Sequence, residues 1–401
     1  MPTFRYRAVS ESGRTVRGNI NAASMNIAMK ELKDNGYYVL KMNDTSQSVW
    51  MKDLGFKPTV NIDDFVVFCR QLATLYKSGI NLVEAMEVLR QQSESKVLKA
   101  VLKEIVDDLV QGSQLSAACS RHPHIFSQLF TNMVRAGEIS GNMDEMLERS
   151  ASFFEKDRYT KSKVKSALIY PVVVGIITII VVAALLIFVV PRFVDNFKQL
   201  KVELPLPTII VMGVSNWIVD HWFLLLVLCI IPVFLTRWMR TFERGRYILD
   251  YMMLKLPVFG MLIHKQSMAR FCRTFSTLYA AAVPMLQMLH IIGLIIGNEV
   301  VIKVIKESRE GLSQGRPLAE PYKDNWVFPP MVVQMLALGE QTGALDVTLQ
   351  KVADFYEQDV DMMTDRIKSL IEPLMIVFLA GTIGIIVLAV MSPMFKLYSS
   401  F

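Results

Sequence analysis

The sequence contains few of the residues from which disulfides and metal sites are built. Among its 401 residues are four cysteines and five histidines. The cysteines fall inside helical patterns, in a cytoplasmic region or in a membrane segment; they are Cys69, Cys119, Cys229 and Cys272. The histidines are scattered without ligand spacing; they are His122, His124, His221, His264 and His290. We therefore expect neither disulfides nor a metal site.

Catalytic signatures are also missing. The chain has no glycine-rich phosphate loop, no nucleophile elbow and no Cys/His metal motif, so we expect no enzymatic activity and no cofactor. Residues 1–8 lack the short apolar core and cleavage site of a signal peptide, which predicts that the N-terminal region starts in the cytoplasm. The net charge of +6 comes from cations placed beside apolar segments. This placement favours anionic lipid over direct binding of nucleic acid.

A large part of the sequence is repeated within the chain. The stretch from about 65 to 193 recurs from about 268 to 395, so that Phe68-Cys69-Arg70 returns as Phe271-Cys272-Arg273. A period near half the chain is too long for a solenoid, and each copy is therefore expected to be a domain. One departure is Ala281-Ala282-Val283, which stands where the first copy has Ser78-Gly79-Ile80.

Apolar segments predict three transmembrane helices. Hydrophobic residues make up 52% of the chain. The charge-free stretch at 168–190 and the apolar segment at 370–392, which is charge-free from Leu374 to Met391, are long enough to cross the roughly 30 Å hydrocarbon layer. A third span is predicted at 222–238, flanked by tryptophans as at a membrane surface. Both copies run from a soluble part into a span, so the chain has crossed the membrane when the first copy ends. A third crossing between the copies is needed to return the second soluble part to the same face of the membrane.

Flanking cations predict the orientation of these spans. Lysines precede the first span and arginines follow the middle one, which favours a cytoplasmic location for both flanks. These cations are Lys161, Lys163, Lys165, Arg237, Arg240, Arg244 and Arg246. The N-terminus is therefore expected in the cytoplasm, with a loop at 191–221 and a short tail at 393–401 in the periplasm.

The remaining segments complete a mainly α fold class. Residues 1–45 predict a small αβ domain with strands near Phe4 and at Thr15–Asn21, a helix at Ala23–Asn35 closed by Gly36, and a strand at Tyr37–Lys41. Residues 46–61 look like a linker. Helical periodicity at 62–167 and 239–369 predicts two duplicated cytoplasmic helical bundles of five or six helices each. The prediction is thus a polytopic membrane protein with three transmembrane helices.

The sharpest local motif is Gly-Glu-x-x-Gly, which occurs once in each copy. Its residues are Gly137, Glu138, Gly141, Gly339, Glu340 and Gly343. Glycines four apart allow close helix approach or end a helix, and the Glu could pair with Arg or with helix N–H groups. The simplest interpretation is a tight connection between helices; a role in contacting a partner or positioning the domain is the alternative.

Arg70 and Arg273 occupy equivalent positions on an otherwise apolar helical face. Each is a candidate for a structural ion pair, with Glu138 and Glu340 as possible partners within the same domain. The alternative is an arginine whose stem packs while its head reaches water.

The spans begin at Tyr170-Pro171 and Glu372-Pro373. Proline is tolerated in the first turn of a helix, so Pro171 and Pro373 are predicted to lie there. An acid inside a membrane is a functional candidate, but Glu372 lies near the cytoplasmic end and can reach the interface. Transport chemistry at Glu372 is therefore the less favoured interpretation.

Together these residues resemble the type II secretion protein F and type IV pilus platform (PilC-like) family over nearly the whole chain. The likeness rests on the opening Phe4, Tyr6 and Ala8, the paired helices at Phe68 and Phe271, the two Gly-Glu-x-x-Gly motifs, and the residues that start the spans. The resemblance implies an inner-membrane platform that couples a cytoplasmic hexameric assembly ATPase to the insertion or removal of pilin or pseudopilin subunits. It also implies other inner-membrane assembly proteins as partners and a homo-oligomer. The alternative function is a membrane subunit of a small transporter or permease.

Overall fold

The structure is a computed structural model that describes residues 3–10, 15–21, 25–34, 37–44, 60–193 and 205–399. The chain divides into two units, one up to Val60 and one from Asn61 onward. The predicted cap at Gly36 and the linker apart from its last two residues lie outside the described residues.

The first unit contains a three-stranded antiparallel sheet and one helix. The strands β1 (Thr3–Ser10), β2 (Thr15–Asn21) and β3 (Tyr37–Asp44) are ordered β2-β1-β3, and α1 (Met25–Asp34) connects β2 to β3. The pairing of β1 with β3 is irregular between Arg7 and Ala8. Helix α1 packs on β3, and its Leu32 is buried.

The second unit begins with six helices that form the first bundle. They are α2 (Ile62–Lys77), α3 (Leu82–Gln92), α4 (Lys96–Val110), α5 (Leu115–Ser120), α6 (Gln128–Ser140) and α7 (Met143–Ala184). Asn81 caps α3, because its side chain accepts a hydrogen bond from the Glu84 amide at 2.9 Å. The core is aromatic, with Phe65 in edge-on contact with Phe126, Phe130 and Phe154.

The following helices connect the two copies. A π-helical stretch, Leu185–Val189, continues α7, and after the undescribed residues come α8 (Leu206–Asp220), α9 (Trp222–Met239) and α10 (Glu243–Lys255). The region 191–221, predicted as a periplasmic loop, thus contains the apolar helix α8, and its periplasmic location stays a prediction. Helix α8 packs between the far ends of the two long apolar helices, where Ser215 donates to the Leu186 carbonyl at 2.6 Å.

The second bundle repeats the order of the first. Its helices are α11 (Phe259–Ala280), α12 (Met285–Ile296), α13 (Glu299–Ser313), α14 (Glu320–Lys323), α15 (Pro330–Thr342) and α16 (Leu345–Ser399). The departure at Ala282 does not change the fold, since Ala282 adopts φ +53° where Gly79 has φ +86°. Both residues close the same turn, with amides that donate to Tyr279 and Tyr76 carbonyls at 2.9 Å.

Two helices within the described residues are long and apolar enough to cross a membrane, and they span Met143–Phe193 and Leu345–Ser392. The third span at 222–238 stays a prediction. Each of the two long helices runs without interruption from a bundle into its apolar segment, so the predicted domain boundaries at 167 and 369 fall inside continuous helices.

Candidate functional site at the joint between the repeats

The glycines of the first motif allow α6 and α7 to pack closely. A Cβ added at Gly137 would lie 3.0 Å from the Cα of Met143, and Gly141 ends α6 with φ +76°. A side chain is disfavoured at both positions, at Gly137 by contact and at Gly141 by the left-handed backbone. The motif is therefore built into the turn that sets the direction of α7.

The second motif makes the same joint more tightly. A Cβ at Gly339 would lie 2.5 Å from the Thr348 hydroxyl oxygen and 3.0 Å from the Cα of Leu345. Gly343 ends α15 with φ +70°. Both copies thus use one glycine for close approach and one for reversal of the chain.

The glutamates of the motifs bind backbone N–H groups. The Ser116 amide, in the first turn of α5, donates to Glu138 Oε1 at 3.1 Å. Glu340 accepts from the amides of Leu318 and Ala319 at 2.7 and 3.3 Å, in the turn before α14. The residue before each short helix makes no side-chain capping hydrogen bond. The glutamate carboxylate supplies this cap, because it accepts hydrogen bonds from the free N–H groups. Each glutamate therefore ties its motif to the short helix of its bundle.

The arginines pair with acids other than those predicted. Arg70 donates two hydrogen bonds of 2.6 Å to Glu155 and one of 2.6 Å to Glu148, both on α7. The predicted partner Glu138 is wrong, because its carboxylate faces α5. The hydrogen bond from Arg70 holds the pKa of the Glu155 carboxyl below its usual value.

Arg273 has the equivalent position and a different second partner. It donates two hydrogen bonds of 2.8 Å to Glu357 and a further one to Asp354, both on α16. The predicted partner Glu340 is therefore also wrong. Arg273 is largely buried, whereas a third of the Arg70 side chain is exposed.

The second acid that pairs with the arginine lies one helical turn further along the long helix in the second copy than in the first. By the spacing of Glu155 and Glu357, Gln350 stands where the first copy has Glu148, and Asp354 stands where it has Ser152. Positions four apart share one face of a helix, so the arginine keeps two carboxylates in both copies. In the second copy, both acids, Asp354 and Glu357, also face Lys156 of the first repeat.

Ion pairs between the copies form a surface that we name the inter-repeat seam, defined by Lys156, Asp157, Arg270, Asp354 and Glu357. Lys156 on α7 lies 3.1 Å from Asp354 and 3.2 Å from Glu357 on α16. Arg270 on α11 lies 2.7 Å from Asp157 on α7. Four of these residues, Lys156, Asp157, Arg270 and Glu357, line a cavity of about 30 Å³, room for about one water molecule.

The electrostatics of the seam keep Asp354 charged. Burial opposes the charged form of Asp354, but hydrogen bonds from Arg273 and Lys156 outweigh it and hold its pKa below the usual value. Closer to the membrane, Lys163 on α7 lies 3.3 Å from Asp361 and 3.5 Å from Asp365 on α16. The two long helices are thus joined by charge along their extramembrane parts.

The residues predicted to start the spans lie within helices. Pro171 is inside α7 and Pro373 is inside α16, so their predicted place in a first turn is wrong. Each proline removes one backbone donor from a helix that continues through it. Tyr170 and Glu372 are exposed beside them. Within the described residues, no group of three or more histidine, cysteine, aspartate or glutamate side chains is placed to hold a metal ion.

Duplicated bundles, continuous bundle-to-span helices and a charged seam between the copies define a class of two-repeat helical membrane protein. The type II secretion system protein F model matches residues 68–191 and 271–393 separately, which confirms the duplication. The N-terminal domain model of the same protein matches residues 1–43. The chain belongs to the type II secretion system protein F family, as its sequence resemblance indicates.

Individual relatives extend over nearly the whole chain. The type IV pilus assembly protein PilC of Thermus thermophilus is 37% identical over 400 residues, covering 99% of this chain and 98% of that protein. The type IV pilus assembly protein TapC of Aeromonas hydrophila is 34% identical, with 98% and 95% covered. The type II secretion system protein F of Vibrio cholerae is 30% identical, with 99% and 98% covered. With its two apolar helices, the chain is an inner-membrane protein.

Proposed function

We propose that this chain is the inner-membrane platform of a type IV pilus or type II secretion assembly machine. In this role it couples a cytoplasmic hexameric ATPase to the insertion or removal of pilin or pseudopilin subunits and itself hydrolyses nothing. The observation that carries the proposal is the inter-repeat seam, because it joins two helices that each run unbroken from a bundle into a membrane span. The names of the relatives favour this role over a transporter or permease subunit.

The geometry supports a mechanical form of coupling. On α7, Lys156 binds acids of the second copy and Asp157 binds Arg270 of the second copy. A force applied to either bundle is therefore transmitted to both. We propose that the ATPase drives rigid-body rotation of the bundles and that α7 and α16 carry this movement into the membrane. The internal contacts of the Gly-Glu-x-x-Gly motifs favour a domain-positioning role for them over contact with a partner.

The spans offer surfaces to apolar subunits. Gly175 on α7 and Gly381 and Gly384 on α16 have open space where a Cβ would stand. Small residues allow other membrane helices to approach closely. Cations lie before the first span and after 222–238, and such cations favour the cytoplasmic side of a membrane. In the proposed orientation the N-terminus and both bundles therefore lie in the cytoplasm and the C-terminus in the periplasm.

Purification from native membranes tests the proposal. The tagged protein, extracted in mild detergent, is expected to bring with it an assembly ATPase and pilin-like proteins, identified by mass spectrometry. Recovery of a solute-binding protein or a transport ATPase in their place would overturn it. Crosslinks between the bundles and the ATPase should change with nucleotide state; crosslinks that stay constant would contradict the rotation.

A further inference from the structure

The turn between α10 and α11 is strained and sharply bent. The chain bends by 111° from one helix to the other. Val258, between them, has φ +67° and ψ −59°, and the Phe259 amide donates to the Pro257 carbonyl at 2.8 Å. This is a γ-turn of the rare, strained kind, centred on a β-branched residue for which positive φ is unfavourable. Strain of this kind is retained where the surroundings or a function require it.

The side chains of this turn are apolar and exposed. We name residues 256–261 the elbow. Leu256 is 52% exposed and Met261 55%, and Val258 and Phe259 are exposed by 40% or more. On α10, Met252 lies one turn before Leu256 and is also half exposed. A group of this many exposed apolar side chains marks a surface that another apolar phase covers.

Contacts with α16 place the elbow at the level where the second long helix becomes apolar. Val258 and Met261 line a cavity of about 190 Å³ together with Met362 and Leu370. Leu262, next to the elbow, packs on Ile367. Leu370 opens the apolar segment at 370–392, which is charge-free from Leu374 to Met391, so the elbow lies beside the point where α16 enters the membrane.

Charges around the elbow are mainly positive. Arg366 and Lys265 line the same cavity, and Lys265 is paired with Asp359 at 2.7 Å. Lys255 ends α10 with its ammonium 4.6 Å from the ring centre of Trp326. Apolar side chains bordered by cations suit the surface of a bilayer that contains anionic lipid.

We propose that the elbow inserts its apolar side chains into the headgroup region of the bilayer and anchors the second bundle against the membrane surface. The proposal rests on the membrane placement used in the proposed function. Its occupant is the lipid surface, because the contacts with α16 fix the depth of the elbow and the cations match anionic headgroups. The strained turn then sets the angle at which α11 leaves the membrane.

Site-specific fluorescence tests this placement. Leu256→Cys and Met261→Cys are labelled with an environment-sensitive probe in a Cys229→Ala chain, since Cys69, Cys119 and Cys272 are buried and react slowly. Burial raises the pKa of all three thiols. The full chain is reconstituted in vesicles of phosphatidylethanolamine and phosphatidylglycerol. One quencher is a lipid with a nitroxide near its headgroup, and the other is iodide in the water.

Two matched positions calibrate the measurement. Ile139→Cys on α6, 79% exposed, reports the aqueous phase, and Ile376→Cys on α16, 61% exposed, reports the bilayer. We expect the lipid nitroxide to reduce emission at 256 and 261 and iodide to leave it unchanged, whereas at 139 the reverse holds. Gel filtration and thermal unfolding of each labelled chain verify that it is folded.

The possible failures are distinguishable. If 256 and 261 behave like 139 while 376 is quenched by lipid, the elbow is in water and the proposal is overturned, although the membrane placement stands. If 376 also behaves like 139, the membrane placement itself fails. If 256 and 261 are shielded from both quenchers, a second copy of the chain covers the elbow, which also overturns the proposal.

Discussion

Arg270 of the second repeat lies 2.7 Å from Asp157 of the first, and both side chains are at least four-fifths buried. The sequence places these residues 113 positions apart. The pair therefore reports whether the two repeats hold their relative position.

Breaking this pair should weaken the joint. We expect Arg270→Gln to lower the free energy of unfolding by about 1–3 kcal/mol, the cost of a buried hydrogen bond to a charged group. Arg149→Gln is the control, because Arg149 pairs with Glu145 on the exposed surface of α7 and should cost less than about 0.5 kcal/mol. Thermal unfolding in detergent gives both values; equal losses would mean that Arg270 contributes no more than a surface charge.

The close approach at Gly339 should not accept a methyl group. Gly339→Ala would bring a Cβ within 2.5 Å of the Thr348 hydroxyl, and we expect a loss of about 1–3 kcal/mol, as for overpacking. Gly293→Ala on α12 is the control, because nothing lies within 4 Å of its Cβ position; it should be neutral or stabilising by up to about 1 kcal/mol. Equal Tm values for the two variants would refute the contact.

The equivalent turns at Gly79 and Ala282 predict opposite effects of exchanging their residues. Ala282→Gly should stabilise the second bundle by about 1 kcal/mol, because it relieves an L residue at φ +53°. Gly79→Ala should destabilise the first bundle by a similar amount at φ +86°. Thermal unfolding of the two variants measures the pair of effects, and shifts of the same sign would contradict this explanation.

The low pKa of Glu155 predicts a loss of stability in acid. Because Arg70 lowers this pKa in the folded protein, its contribution is complete above the unfolded value of about 4.3 and is lost as the pH falls toward the folded value. The pair is over a third exposed, so screening limits the effect to below about 1 kcal/mol. Below a pH of about 4.3, the Tm of Glu155→Gln should fall less steeply with decreasing pH than the Tm of the unchanged protein. An equal slope in both would show that the Arg70–Glu155 pair does not cause the loss of stability in acid.

Features that depend on local pattern could be predicted from the sequence. The duplication and the bundle helices follow from matched motifs and helical periodicity, and each copy has six helices as the upper estimate predicts. Local pattern also indicates that Glu138 and Glu340 can bind helix N–H groups. These predictions required no knowledge of how distant segments pack.

Features that depend on packing between distant segments could not be predicted. Arg70 meets Glu155 across 85 positions, and the sequence offers many acids at such distances with nothing to select one. The inter-repeat seam was missed for the same reason. The proline at the start of each apolar segment indicated a helix start, whereas the helix continues because one missing donor costs less than ending a long packed helix.

The unbroken course of α16 has a geometric consequence. Its 55 residues make a rod about 82 Å long at about 1.5 Å per residue. With its bundle end as the pivot, a tilt of only about 5° would displace the opposite end by about 7 Å along such a rod. A motor that rocks the bundle slightly could in this way produce a molecular-scale stroke at the other face of the membrane, with Pro373 the place where the rod would bend first.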